Sequence, residues 1–220
     1  MQQEEMLEQI KQCILKSDSM GVKTAISAAL DAGISSAEIL SKSVTGAMQT
    51  VGELWDAKEF WLADVMAAAE TVKVGIDYLK SETESDGSNS IGTVVIGSVK
   101  GDVHSVGKNL VATFLGASGF EVFDLGEDVS ADTFIEAVKE HDADVLGLSC
   151  FATNYTSVMN EVSEKLVVEG LREHVFIMIG GISMDPEWVP KVGADAFARD
   201  AHEAAETARA HMQTVLSRTQ

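Results

Sequence analysis

Cationic residues are scarce in this chain. Its 220 residues carry 16 lysines and arginines against 35 aspartates and glutamates, a net charge of −19. A surface of that sign repels phosphate backbones and anionic headgroups, so neither nucleic acid nor a membrane is an expected partner. The simplest use of the excess acid is solubility. Cysteine is nearly absent: Cys13 and Cys150 stand far apart, with no second cysteine at metal-ligand spacing. No disulfide framework is expected, and the usage suits a reducing, cytoplasmic location. No apolar run reaches the roughly 18–20 residues that cross a bilayer. The acidic start MQQEEMLEQIKQC lacks the basic and apolar regions of a signal peptide. Proline is missing from residues 1–80, and nothing there interrupts helices.

What is present is enough to fold. The chain is 45% hydrophobic and long enough for one large domain or two small ones. Its first 80 residues follow a helical period: Met6, Ile10, Cys13 and Ile14, then Val22, Ala25, Ile26 and Ala29. Asp31-Ala-Gly33 breaks the pattern, and Ser35-Ser-Ala-Glu38 reads as a capping box opening the next helix. Apolar spacing resumes at Ile39, Val44, Met48 and Val51, and again from Trp61 to Leu79. Four helices in a small bundle account for this half. The polar stretch SETESDGSNS, residues 81–90, reads as a linker.

Beyond it the pattern alternates. Strands are expected at 93–98, 120–126, 144–150 and 175–181, with a short fifth at 194–198. Helices are expected at 106–118, 130–141, 156–170 and from 201 to about 217. Strand–helix alternation of this kind gives a parallel sheet with helices on both faces. The fold class is therefore α/β: a helical bundle over 1–80 and a doubly wound, flavodoxin- or Rossmann-like five-stranded sheet over 91–220. Ligands of such sheets bind where strands hand over to helices at their carboxyl ends. Four loops fall there, at Asp102–Gly107, Gly126–Asp128, Ser149–Tyr155 and Gly180–Ser183.

The first loop holds D-x-H-x-x-G: Asp102, His104 and Gly107. Histidine is a natural single ligand for a transition metal, and a carboxylate two residues earlier can orient its second nitrogen. Gly107 removes a side chain at the helix start, where something bulky can then approach. The same residues also fit a capping aspartate beside an exposed histidine. His141, His174, His202 and His211 lie mostly in or at the ends of helices, away from these loops, which disfavours a zinc held by protein alone. Ser149 and Cys150 lack a G-x-S-x-G elbow, and the first strand–helix loop has no G-x-G-x-x-G.

These elements, taken together, resemble the base-off, His-on cobalamin-binding domains. After Gly107 come 41 residues and then Ser149-Cys150-Phe151 in the place of S-x-L; 28 more lead to Gly180-Gly181. Residues 1–80, through VGELWDAKEFWLADVMAAAE (51–70), look like the helical cap of methyl-carrying corrinoid proteins and of the cobalamin-binding module of methionine synthase. The resemblance implies His104 as lower cobalt ligand, with Asp102 hydrogen-bonded to it and sharing its proton. It implies that Ser149 contacts the displaced nucleotide tail and that Gly107, Gly180 and Gly181 make room for it. Ser105, Val106, Phe151 and Thr153 complete the lower contacts. Phe60, Trp61, Leu62, Val65 and Met66 are implied over the upper corrin face, although ordinary bundle packing explains residues at helical spacing equally well.

The implied activity is that of a methyl carrier, a component rather than a complete enzyme. It takes a methyl group from a donor-specific methyltransferase acting on a methoxylated aromatic, methanol, a methylamine or a quaternary amine. It delivers the group to an acceptor methyltransferase serving tetrahydrofolate or coenzyme M, with a reductive activase as third partner. Two departures stand out. Phe151 replaces the leucine of S-x-L, and Tyr155 stands where methionine synthase has a further serine in its proton relay. A third, Ala63 in place of a frequent proline, reads as a variation in helix start. Two rival readings are a cobalamin-sensing regulator and the small subunit of an adenosylcobalamin mutase. The first lacks a DNA-binding segment here and has Val65-Met66 where a light sensor has Glu-His; the second leaves the helical bundle unexplained.

Overall fold

The protein is described from a computed structural model covering residues 2–82 and 90–218. By contact density it divides into two compact units, residues 1–89 with 116–119, and 90–115 with 120–220.

In the first unit, α1 (Gln2–Leu15) and α2 (Ser19–Asp31) are followed by α3 (Ser36–Glu38), a π-helical segment (Ile39–Val44) and α4 (Thr45–Asp56). The last three run on without a break, and α5 (Leu62–Glu82) completes four rods among the described residues. Asp18 caps α2 by accepting from Gly21 N, and Ser35 caps α3 by accepting from Glu38 N. Only that half of the capping box forms, because the Glu38 carboxylate pairs with Lys42 at 2.7 Å instead. The π segment explains the five-residue step from Ile39 to Val44. One extra residue in the turn, with Thr45 N–H donating to Leu40 O, buries Ile39, Ser43 and Val44 together. The buried Ser43 hydroxyl is satisfied by Leu7 O at 2.8 Å. Ile10, Ile14, Val22, Ile26, Val51 and Val72 are fully buried in this half.

The second unit alternates β1 (Thr93–Ser98), α6 (Val106–Ala117), β2 (Glu121–Asp124), α7 (Ala131–His141) and β3 (Val145–Ser149). A single 3₁₀ turn (Thr153–Tyr155) precedes α8 (Thr156–Val168). Then follow β4 (Phe176–Gly180), the short α9 (Trp188–Lys191), β5 (Ala196–Phe197) and α10 (Ala201–Arg218). The five strands pair in the order β2-β1-β3-β4-β5, all parallel. The expected elements are present, trimmed by a residue or two at their ends; the π segment, the 3₁₀ turn and α9 carry no clear periodic signal. Of the stretch 81–90, Ser81 and Glu82 close α5 and Ser90 leads into β1; the residues between lie outside those described.

Both sheet faces are apolar because helices cover both. Val95, Leu146 and Ile177 are register neighbours across three strands and pack under Phe134 and Val138 of α7 and Met159, Val162 and Leu166 of α8. Val94, Val145 and Met178 face the other way, toward Leu115 of α6 and Ala204, Ala208 and Met212 of α10. The chain after β1 thus goes to one face and the chain after β3 to the other, which opens a crevice between two adjacent strands. Gly97 in β1 is shaped to receive Phe134, whose ring would lie 2.9 Å from any Cβ there. Phe134 is fully buried. Phe134→Ala is expected to cost about 3–5 kcal/mol, seen as a lower urea midpoint with little change in slope; a loss below about 1 kcal/mol contradicts this packing.

Candidate functional site

The loop after β1 turns sharply at Gly101, which has φ +90° and packs against the Tyr155 ring. Asp102 N–H donates back to Val99 O at 2.9 Å, and the buried Ser98 hydroxyl donates to His104 O at 2.7 Å. These bonds bend the loop so that Asp102 is fully buried while His104 stays half exposed. Asp102 Oδ1 accepts from His104 N–H at 2.9 Å and pairs with ring Nδ1 at 2.8 Å. Asp102 Oδ2 accepts from Phe151 N–H at 2.6 Å. Burial by itself raises the Asp102 carboxyl, but the bonds from Phe151, from the His104 backbone and from the His104 ring outweigh it and hold the carboxyl below the usual range. An ionised carboxylate only accepts, so in the neutral imidazole Nδ1 carries the proton and Nε2 keeps a free lone pair. The Phe151 ring stacks on the imidazole, centroids 3.8 Å apart and planes 12° from parallel.

Strand register assembles the neighbouring positions. Ser98, Ser149 and Gly180 lie side by side at the carboxyl ends of β1, β3 and β4. Gly181, at φ +138°, could not carry a side chain: a Cβ would sit 1.9 Å from Cys150 O. The glycine pair therefore has a structural reason of its own, the close approach of the loops after β3 and β4. At Gly107 a Cβ would meet nothing within 4 Å, so the start of α6 faces open space. Ser105 accepts the first-turn bond of α6 from Asn109 N, Val106 is exposed, and Thr153 opens the 3₁₀ turn.

Several site features escape the motif. Val103 and Ile182 are exposed apolar residues at 64% and 79%, set in otherwise polar loops at this end of the sheet; an apolar side chain inside a polar turn is the signal that marks them. Lys108, beside Gly107, is buried and forms an ion pair with Asp124 at 2.5 Å, so it ties α6 to the end of β2. Asp128, with φ +56°, accepts from Gly101 N–H and from Lys100. Cys150 is no nucleophile: burial first, then the Asp102 charge, push its thiol up to about 11. In the bundle, Val65 heads the buried stripe Val65, Ala68, Val72, Gly75 and Leu79 of α5, so helix packing accounts for it. Trp61, Leu62 and Met66 are exposed at 71%, 48% and 45%, and Phe60 is half-buried. The start of α5 is held by Asp64, which accepts from Trp61 N at 2.8 Å; Ala63 sits in that first turn without a proline.

Residues 92–209 match the B12 binding domain family, and residues 6–80 match a second family of the same description. The chain belongs to the B12-binding family. Dimethylamine corrinoid protein 1 of Methanosarcina acetivorans is 37% identical over 210 residues, covering 95% of this chain and 98% of the relative. A cobalamin-binding protein from Desulfitobacterium hafniense DCB-2 superposes with a TM-score of 0.76 at 31% identity, over 92% of this chain and 97% of that one. The methanol:cobalamin methyltransferase complex from Methanosarcina barkeri contains a chain matched at 0.84 and 27%, over 95% and 80%.

Cobalamin is accordingly the cofactor of this B12-binding chain, and its residues fit the group. Among the described residues no three or more His, Cys, Asp or Glu side chains gather to hold a bare ion. One imidazole offers a free Nε2 at the mouth of a crevice, which suits a metal that brings its own equatorial ring. Gly107 leaves that approach open.

Asp102→Asn tests the electrostatics. It replaces one acceptor by a donor facing N–H groups, and is expected to lose about 1–3 kcal/mol of stability by chemical denaturation. Unchanged stability contradicts the bonding described.

Proposed function

We propose that this chain is the methyl-carrying subunit of a corrinoid-dependent methyltransferase system. It binds cobalamin through the α/β unit, residues 91–220, with 1–80 as a helical cap and 81–90 as the connection between them. His104 Nε2 would be the protein's ligand to the cobalt, and Asp102, bonded to Nδ1, would fix the imidazole tautomer and share its proton. Ser149, Gly180 and Gly181, with Ser105, Val106, Gly107, Phe151 and Thr153, line the place of the nucleotide tail. Phe60, Trp61, Leu62 and Met66 supply apolar cover from the bundle; Trp61, just before α5, and Leu62 and Met66 within it are exposed. When bound, cobalamin supplies a cobalt centre able to take up and release a methyl group, while the protein supplies ligation, shielding and docking.

The observation that carries this reading is the buried, ionised Asp102 holding Nδ1 of a half-exposed His104. A merely capping aspartate needs no imidazole partner. The partners proposed are a donor-specific methyltransferase, an acceptor methyltransferase and a reductive activase. Relatives named for dimethylamine and trimethylamine favour a methylated amine as donor over a methoxylated aromatic. The acidic surface and the lack, among the described residues, of a helix long and apolar enough to cross a membrane agree with protein partners.

The test is reconstitution of the full chain with methylcobalamin and absorption spectroscopy. Wild type is expected to show the His-on spectrum and His104→Ala to lose it while keeping its fold. A wild type that binds no corrinoid, or a variant with the wild-type spectrum, overturns the ligand assignment.

A further inference from the structure

One residue touches both members of the Asp102–His104 pair. Phe151 gives its backbone N–H to Asp102 Oδ2 at 2.6 Å and lays its ring on the His104 imidazole at 3.8 Å and 12°. The two contacts do different things. The Nδ1 bond to Asp102 pins one edge of the imidazole but leaves the ring able to tilt about that bond. A parallel aromatic face removes the tilt, because a stacked pair loses its favourable geometry when one ring turns. Among the described residues no hydrogen bond reaches His104 Nε2, and no other ring stacks on the imidazole.

The hydroxyl alternative is not built. Tyr155, at the position where a relay serine is expected, packs its ring beside Gly101, and its hydroxyl has no hydrogen bond among the described residues. Phe151 stands at the leucine position of the S-x-L pattern, and the branched chain of a leucine offers no flat face. Its ring is partly exposed, at 39% by residue, so the stack closes one side of the imidazole without closing the crevice.

We propose that Phe151 is a positioning residue for His104: its ring fixes the imidazole plane so that Nε2 is presented to cobalt in one orientation. The proposal rests on His104 being the lower ligand. It differs from a contact between Phe151 and the nucleotide tail, and the two roles separate experimentally.

Phe151→Leu keeps the backbone N–H and most of the apolar volume but removes the face; Phe151→Tyr keeps the face. In the cofactor-free protein, the His104 ring protons are expected to show an upfield ring-current displacement by NMR, lost in F151L and kept in F151Y. The second arm titrates each variant with cobinamide, a corrinoid that has no nucleotide tail, reading histidine ligation from the spectrum. F151L is expected to weaken ligation about two- to tenfold, with F151Y restoring it. A loss confined to cobalamin and absent with cobinamide makes Phe151 a tail contact and overturns the proposal. So does a His104 signal that F151L leaves in place. If wild type binds neither corrinoid, the proposed function fails by itself, and the cofactor-free NMR still decides whether the stack exists.

Discussion

A buried carboxylate must be satisfied, and in this protein that requirement draws two loops together. Asp102 has no solvent contact and three N–H partners, two from its own loop and one from the loop after β3. Left with fewer donors, a charge at that depth costs several kcal/mol. The loop after β1 therefore cannot drift from the loop after β3 without exposing an uncompensated ion. Those are the loops that diverge to opposite faces of the sheet, so the bond closes the base of the crevice that the topology opens. Two features of the site are referred to this carboxylate, the tautomer of His104 and the seat of Phe151; strand register spaces the small residues beside them.

The remaining loop contacts serve the same frame. Asp128 holds Gly101 and Lys100, and its own N–H donates to Asp102 O at 3.0 Å, which ties the loop after β2 to the loop after β1. Lys108 and Asp124 link the first turn of α6 to the end of β2. Gly181 lets the loop after β4 close on Cys150. The result is a rigid rim carrying one exposed imidazole. A rim with a single exposed imidazole suits a cofactor that holds its metal in its own ring, because the protein then governs only orientation and access.

The order of strands and helices was legible because each is long and strongly patterned: TVVIGS and DVLGLSC leave no alternative to buried strands, and the spacing of Asp102, His104, Ser149 and Gly180-Gly181 marks the loops that meet. The π turn was not read: the five-residue step between Ile39 and Val44 passes for an irregular member of the helical repeat until the structure shows the extra residue. What the sequence could not display are contacts across 49 residues of chain. That the Phe151 N–H meets Asp102, or that its ring meets His104, depends on strand register. The burial of Lys108 was hidden for a different reason. A lysine at a helix start reads as solvated unless the carboxylate that receives it, here Asp124, is known to lie beside it. Trp61, Leu62, Val65 and Met66 share one helical neighbourhood, and periodicity alone did not separate the buried Val65 from its exposed neighbours.

The central claim is that Asp102 fixes His104 with its proton on Nδ1 and Nε2 free. Nitrogen-resolved NMR of the cofactor-free protein, labelled with ¹⁵N-histidine and held where the imidazole is neutral, reads this directly. The account predicts a protonated Nδ1 and an unprotonated Nε2 for His104. A proton on Nε2, or a signal averaged between the two tautomers, contradicts it.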